Sequence, residues 1–188
     1  MSFNADRPAP IRLRQGPHPA ALRALHWGVA LAVLAEFTLA LARMAAESDS
    51  WRHGLMAWHQ PLGLLIGAAT LLRLGTRLRL RLARWQGSRW IAWTSAGLHG
   101  LSYLLLLALP LVGLALANAR GHAVSLPLLG TLPRLMARDL DLADTLEDAH
   151  ATLAWLLLGL IALHAAAAAW HQWVRRDGLL DAMWPASR

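Results

Sequence analysis

Near its C-terminal end the chain reads AHATLAWLLLGLIALHAAAAAWHQW, over Ala149 to Trp173. The stretch is long enough to cross a hydrocarbon core of about 30 Å, which takes about 20 helical residues. His150 and His164 are fourteen positions apart, so on a helix they project within about 40° of each other and lie about 21 Å apart along its axis. This stretch therefore predicts a membrane helix with two imidazoles on one face, at two depths.

Three further apolar stretches precede it, roughly Ala24 to Ala42, Leu55 to Leu72 and Ser95 to Ala117. They are apolar nearly all round, whereas the helices of a soluble bundle keep one polar face. We therefore predict an all-α fold, namely an integral membrane four-helix bundle with up-down topology. The predicted parts are a basic N-terminal tail (1–22), a four-span domain (23–175) and a C-terminal tail (176–188).

The composition excludes several kinds of site. Of the 188 residues, 56% are hydrophobic and 15% are charged, which is more apolar than a soluble domain usually is. The absence of cysteine excludes disulfides, thiolate zinc sites, iron–sulfur clusters and the thioether linkage of c-type haem. All the basic residues are arginine, so Schiff-base chemistry on lysine is excluded too.

The arginines predict the orientation, because short cytoplasmic loops retain positive charge. Thirteen of the eighteen lie in the two tails, at the span residues that adjoin them (Arg23 and Arg175), or in the second connection. Both termini are therefore predicted to be cytoplasmic, in a multi-pass protein of the bacterial inner membrane. The net charge of +7 lies beside apolar spans, which indicates anionic lipid rather than nucleic acid. Residues 40–42 resemble a signal-peptide cleavage site, but the long Pro-rich region before the span favours a retained helix.

Apart from His171 at the cytoplasmic boundary, five of the nine histidines fall inside the predicted spans, where a polar side chain needs a partner: His26, His59, His99, His150 and His164. By depth, His26 matches His164 and His59 matches His150. Paired imidazoles without thiolate or carboxylate ligands suit haem iron better than zinc, which takes four ligands. These four histidines are thus the predicted iron ligands of two haems. His99 is an alternative to His26, or a contact for a quinone or a haem propionate.

Other residues are predicted to complete these sites. Gly63 and Gly67 follow His59 on one side of the helix and let a flat macrocycle approach, or serve helix packing. Arg73 and Arg23 are predicted to contact the haem propionates at the cytoplasmic side, although Arg73 could simply mark the membrane edge. Glu36 is a candidate proton relay, or a group that hydrogen-bonds within the bundle or reaches to the outer interface.

The remaining histidines carry weaker predictions. His171 lies at the cytoplasmic boundary and is predicted to be interfacial rather than a ligand. The other three lie in loops and default to solvent, with His122 also able to line an outer quinone pocket: His18, His53 and His122.

Several fragments together resemble the bacterial cytochrome b561 family, over about Arg14 to Met183. They are Arg23-Ala-Leu-His26-Trp27, Trp58-His59-Gln60-Pro61-Leu62-Gly63 with Arg73, Leu98-His99-Gly100-Leu101-Ser102-Tyr103-Leu104, and Asp148-Ala149-His150 through His164 and His171 to Arg175-Arg176-Asp177-Gly178. The family is similar to the cytochrome b subunits of nickel-iron hydrogenase and formate dehydrogenase.

The resemblance implies four helices that hold two b-type haems, with one ligand to each haem from the last helix. It carries these roles onto His150 and His164, with His59 and His26 as their partners. Gln60 departs from the family, which usually has lysine directly after that ligand. The outer haem propionates are then short of one cation.

The sequence thus predicts transmembrane electron transfer through two b-type haems, coupled to quinone or quinol. Within this class, the chain could anchor a separate soluble or membrane redox partner, and a homodimer stays open. The alternative from another class is a haem-free transporter or assembly factor whose histidines bind a divalent metal.

Overall fold

The computed structural model describes residues 19–80, 89–127 and 130–184. They form α1 (Ala20–Ala45), α2 (Asp49–Arg79), α3 (Arg89–Ala119), β1 (Ser125–Leu126), β2 (Gly130–Thr131), α4 (Leu140–Trp170) and a π-helical turn (His171–Arg175). Predictions for most of the N-terminal tail, for His18 and for the arginines at 7, 12, 14, 81, 84 and 188 lie outside the described residues.

Four helices are long and apolar enough to cross a membrane, which confirms the predicted fold class. Each predicted span lies within one of them, and the fourth ends inside the π-helical turn. Their apolar windows have mean hydropathies of 1.3 to 2.2, yet only 6% to 22% of each window is buried within the protein. Most of the apolar surface therefore faces outward, as a protein surrounded by lipid requires.

Neighbouring helices pack in chain order, with α1 against α2, α2 against α3 and α3 against α4. Val29 and Val33 of α1 pack against Ile66 of α2 and form the buried apolar core between those helices. In the described chain no Cα atom of α4 lies within 8 Å of one in α1 or α2. The fourth helix thus stands apart from the first two.

Short connections and capped starts set the helix boundaries. The Ser48 hydroxyl accepts a hydrogen bond from the Trp51 amide at the start of α2, and the Asp139 carboxylate accepts one from the Leu142 amide at the start of α4. Such caps satisfy main-chain donors that have no partner within the helix. Pro61 and Pro110 lie inside helices, where a ring without an N–H removes one backbone hydrogen bond.

The bundle has two ends, which we name by what they carry. The terminal end holds the start of α1 and the end of α4, and the loop end holds the α1–α2 connection and the long α3–α4 connection. The long connection contains the small antiparallel hairpin of β1 and β2. Asn118 anchors this connection, because its buried side chain donates to the Leu114 carbonyl at 2.9 Å and accepts from the Leu135 amide.

After α4 the chain turns back toward α1. Arg176 and Gly178 adopt left-handed backbone conformations, with φ of 51° and 74°, which reverse the chain direction within three residues. The following segment, Leu180–Trp184, lies against the start of α1, and we call it the C-terminal strap. Trp27 donates from Nε1 to the Met183 carbonyl at 2.9 Å.

Candidate functional site

At the terminal end, α1 and α4 bring two imidazoles together. The ring centres of His26 and His164 are 6.2 Å apart, and the rings are inclined at 75°. His99 of α3 also lies beside His164, with 5.3 Å between the ring centres. The Nδ1 atom of His99 is 2.7 Å from the Ser95 carbonyl of its own helix, which makes that nitrogen the donor.

At the loop end, α2 and α4 bring the second pair together. The ring centres of His59 and His150 are also 6.2 Å apart, with an inclination of 68° between the rings. The two pairs thus have the same separation at the two ends of one helix. The expectation that the α4 imidazoles share a face and meet counterparts from earlier helices agrees with this arrangement.

The spacing of each pair can be compared with that of two axial imidazoles on one iron. With a metal–nitrogen bond of about 2.0–2.1 Å and roughly 1.1 Å from the nitrogen to the ring centre, the two ring centres come to lie about 6.3 Å apart. Directly packed helices have axes 8–10 Å apart, whereas α4 stays clear of α1 and α2 along the described chain. The imidazoles of each pair thus reach toward each other from helices whose backbones do not pack directly.

A family model described as prokaryotic cytochrome b561 matches residues 17–186. The chain belongs to this family. It is 31% identical over 172 residues to "Probable superoxide oxidase CybB" of Yersinia pestis, a match covering 87% of this chain and 93% of the relative. Membership, together with four membrane-crossing helices, makes the protein a multi-pass b-type cytochrome of the bacterial inner membrane with a role in electron transfer.

Family membership also decides against the haem-free alternative. Across residues 19–80, 89–127 and 130–184, no group of three or more His, Asp or Glu side chains is arranged to hold a metal ion. The imidazoles within the spans of this cytochrome b561 instead meet as His59 and His150 at the loop end, and as His26, His164 and His99 at the terminal end. Two imidazoles suffice for an iron that already has four porphyrin nitrogens, but not for a tetrahedral zinc site.

Glu36 of α1 reaches the loop-end pair. Its Oε1 atom is 3.2 Å from Nδ1 of His59, and both side chains are largely buried. A Cβ atom added to Gly63 would lie 3.0 Å from the same oxygen. The absence of a side chain at Gly63 thus leaves space for the Glu36 carboxylate. Of the roles predicted for Glu36, hydrogen bonding within the bundle matches this position.

Two other glycines bring helices and imidazoles close together. A Cβ atom on Gly67 would lie 3.2 Å from Cγ of Pro110, so Gly67 lets α2 and α3 approach. A Cβ atom on Gly113 would lie 3.2 Å from Cε1 of His150. Gly113 was not predicted as a site residue. The only sequence feature that could have indicated it was its position on the third span, at the depth of His150.

The two predicted cytoplasmic arginines have protein partners. Arg73 donates from Nη1 to the Tyr103 hydroxyl at 2.8 Å, and its guanidinium lies 5.3 Å from the centre of that ring. Arg23 donates from Nη1 to the Trp184 carbonyl at 2.8 Å. The Nε atom of each arginine is buried without a hydrogen-bond partner in the described chain. Each guanidinium therefore retains donor capacity beyond these contacts.

The remaining histidines lie outside the two pairs. His171, in the π-helical turn, has Nδ1 2.6 Å from the Asp177 carboxylate. His53 is exposed, with Nδ1 2.7 Å from the Asp49 carbonyl of its own helix. His122 is exposed in the long connection, and His18 lies outside the described residues. The hydrogen bond between His171 and Asp177 was not foreseen, although the two residues are only six positions apart.

Proposed function

We propose that the chain holds two b-type haems, one between His26 and His164 and one between His59 and His150. The observation that carries this proposal is the common separation of 6.2 Å between the ring centres of both pairs. This distance suits two imidazoles that would hold one iron between them, whereas the 5.3 Å between the ring centres of His99 and His164 is short for it. His26 is therefore the proposed ligand, and His99 remains a candidate contact for quinone or propionate.

With the termini in the cytoplasm, as the arginine distribution predicts, the terminal-end pair is the inner site and the loop-end pair the outer site. The two sites are about 21 Å apart along α4, by the rise of a helix. When bound, the haems supply one-electron redox chemistry. The chain orients the imidazoles and holds the two sites at a set spacing. We propose that this arrangement serves electron transfer across the membrane, coupled to quinone or quinol.

The arginines and glycines predicted to lie around the haems have distinct proposed roles. Arg73 and Arg23 direct their remaining donors to the propionates of the inner haem. Gly63 and Gly67 belong to the proposed haem surroundings through their neighbours, because Gly63 lets the Glu36 carboxylate approach α2 and Gly67 lets Pro110 of α3 approach it.

A haem count on variants tests the ligand assignment. Wild-type protein purified in detergent is expected to give two haems per chain in the pyridine haemochrome assay. His164→Ala and His59→Ala are each expected to retain one, with different reduced-minus-oxidised spectra. His99→Ala is the matched control at the terminal end and is expected to retain both. If His99→Ala retains one haem and His26→Ala retains two, then His99 is the ligand in place of His26. One haem in the wild-type protein would refute the two-haem proposal.

The named relative favours one electron donor in particular. Because it is described as a probable superoxide oxidase, we propose superoxide as the donor at the loop end. Each superoxide would lose one electron and leave as dioxygen, and two such electrons with two protons would reduce a quinone to a quinol. In proteoliposomes containing a quinone, an enzymatic superoxide source is expected to produce quinol. Superoxide dismutase should suppress the product, and quinol formation insensitive to the dismutase would exclude superoxide as donor.

A further inference from the structure

We infer that Glu36 is a positioning residue for the loop-end site, where its carboxylate accepts a hydrogen bond from Nδ1–H of His59 and so presents Nε2 to the iron. This inference rests on the proposed function, because it takes His59 to be a ligand. It concerns a residue pair on two different helices, α1 and α2, twenty-three positions apart in the chain.

The distances and burial of the two groups support this pairing. Oε1 of Glu36 lies 3.2 Å from Nδ1 of His59, and the side chains are only 17% and 20% exposed. Nδ1 of His59 and Oε2 of Glu36 are both buried without a hydrogen-bond partner in the described chain. A buried polar atom without a partner is costly. A hydrogen bond from Nδ1–H of His59 to the Glu36 carboxylate would give both groups a partner.

Gly63 supplies an independent geometric argument. It lies one turn after His59 on α2, and a Cβ atom there would come within 3.0 Å of Oε1 of Glu36. Alanine at this position would therefore push the carboxylate away from the imidazole. By contrast, Gly54 on the same helix has no neighbouring atom within 4 Å of such a Cβ.

The chemistry of imidazole ligands explains what the pairing would do. A histidine that ligates a metal usually donates its other ring N–H to a carboxylate or carbonyl, which determines the tautomer and ring orientation and makes the ligand more basic. A more basic ligand stabilises ferric iron relative to ferrous iron, so it lowers the midpoint potential. Glu36 is thus expected to lower the potential of the loop-end haem and to increase its retention.

The test compares Glu36→Leu with Glu36→Gln, which keeps an oxygen acceptor, in otherwise full-length protein. In Glu36→Leu we expect the loop-end haem to bind about 10–100-fold less tightly, the usual cost of losing such a partner. Its midpoint potential should become more positive and its low-spin ferric EPR signal should move. Glu36→Gln should restore most of the haem retention. The terminal-end haem should keep its potential and signal in both variants.

A second pair of variants covers the case in which Glu36→Leu does not fold. Gly63→Ala should shift the potential and EPR signal of the loop-end haem in the same direction, while Gly54→Ala should leave both unchanged. If Glu36→Leu folds, unaltered loop-end signals in both Glu36→Leu and Gly63→Ala would overturn the inference. If Glu36→Leu does not fold, unaltered signals in Gly63→Ala alone would overturn it. If the inference is overturned but the wild-type protein shows two haem signals, the proposed function still stands. If the wild-type protein lacks the two haem signals, the proposed function itself is refuted.

Discussion

The Arg23 side chain donates a hydrogen bond to the main-chain carbonyl of Trp184, 161 positions later in the chain. This bond and the edge-to-face contact of Trp27 with Trp184, at 5.7 Å between ring centres, attach the C-terminal strap to α1. Trp27 also lies edge-on to the adjacent His26 ring, at 5.4 Å. The Trp27 indole therefore contacts both Trp184 of the strap and His26 of the terminal-end pair.

Loss of this attachment should affect the terminal end alone. Trp184→Ala removes an aromatic contact that contributes about 0.5–1.5 kcal/mol beyond the area it buries. We expect a lower midpoint of thermal unfolding and faster loss of the terminal-end haem on dilution, both followed by absorbance. Trp90→Ala is the control, since Trp90 is 76% exposed. Equal losses in the two variants would mean that the strap contact contributes nothing specific.

Gly113 should be required at the loop end because it lies against His150. In Gly113→Val the new side chain would begin 3.2 Å from Cε1 of His150 and force the ring to move. The expected product retains the terminal-end haem and loses the loop-end haem, as measured by haem count and redox titration. Gly97→Val, on the same helix with nothing within 4 Å, should retain both. Normal occupancy of both haems in Gly113→Val would contradict this prediction.

The hydrogen bond between Arg73 and Tyr103 should stabilise the packing of α2 on α3. Tyr103→Phe removes the acceptor of a largely buried guanidinium, and hydrogen bonds to charged groups contribute about 1.5–3 kcal/mol. A double-mutant cycle with Arg73→Met, measured by unfolding in mixed micelles, should give a coupling energy in that range. Ser102→Ala is the control, because the Ser102 hydroxyl donates to the Leu98 carbonyl of its own helix. A coupling energy near zero would show that the bond does not contribute.

Asn118 should hold the long connection at the loop end in place. Its side chain is 1% exposed, and Asn118→Ala would leave the Leu135 amide and the Leu114 carbonyl without their side-chain partner. A destabilisation of about 1–3 kcal/mol is expected, together with faster amide exchange in residues 130–139. Ser125→Ala should stay within about 0.5 kcal/mol of wild type, because it changes an exposed hydroxyl pair. The prediction fails if exchange in the connection is the same in wild type and Asn118→Ala.

The depth of side chains along the membrane normal can be predicted from the amino-acid sequence alone. Hydrophobic length and helical period predict where each span lies, and the rise per residue converts the positions of His150 and His164 on α4 into depth. The absence of cysteine and the pairing of imidazoles by depth were enough to predict haem. Nothing in this reasoning required knowledge of which helices are neighbours.

Which side chains meet at a given depth depends on the three-dimensional arrangement of the helices, and it was known only from the structure. His26 and His99 share a depth with His164. Their ring-centre distances to His164, which distinguish the two candidate ligands, depend on how α1 and α3 are placed around α4. The same holds for Glu36 beside His59 and for Arg73 on the Tyr103 hydroxyl. These contacts join different helices, and the lateral arrangement of helices is set by side-chain packing between them rather than by the periodicity of any one helix.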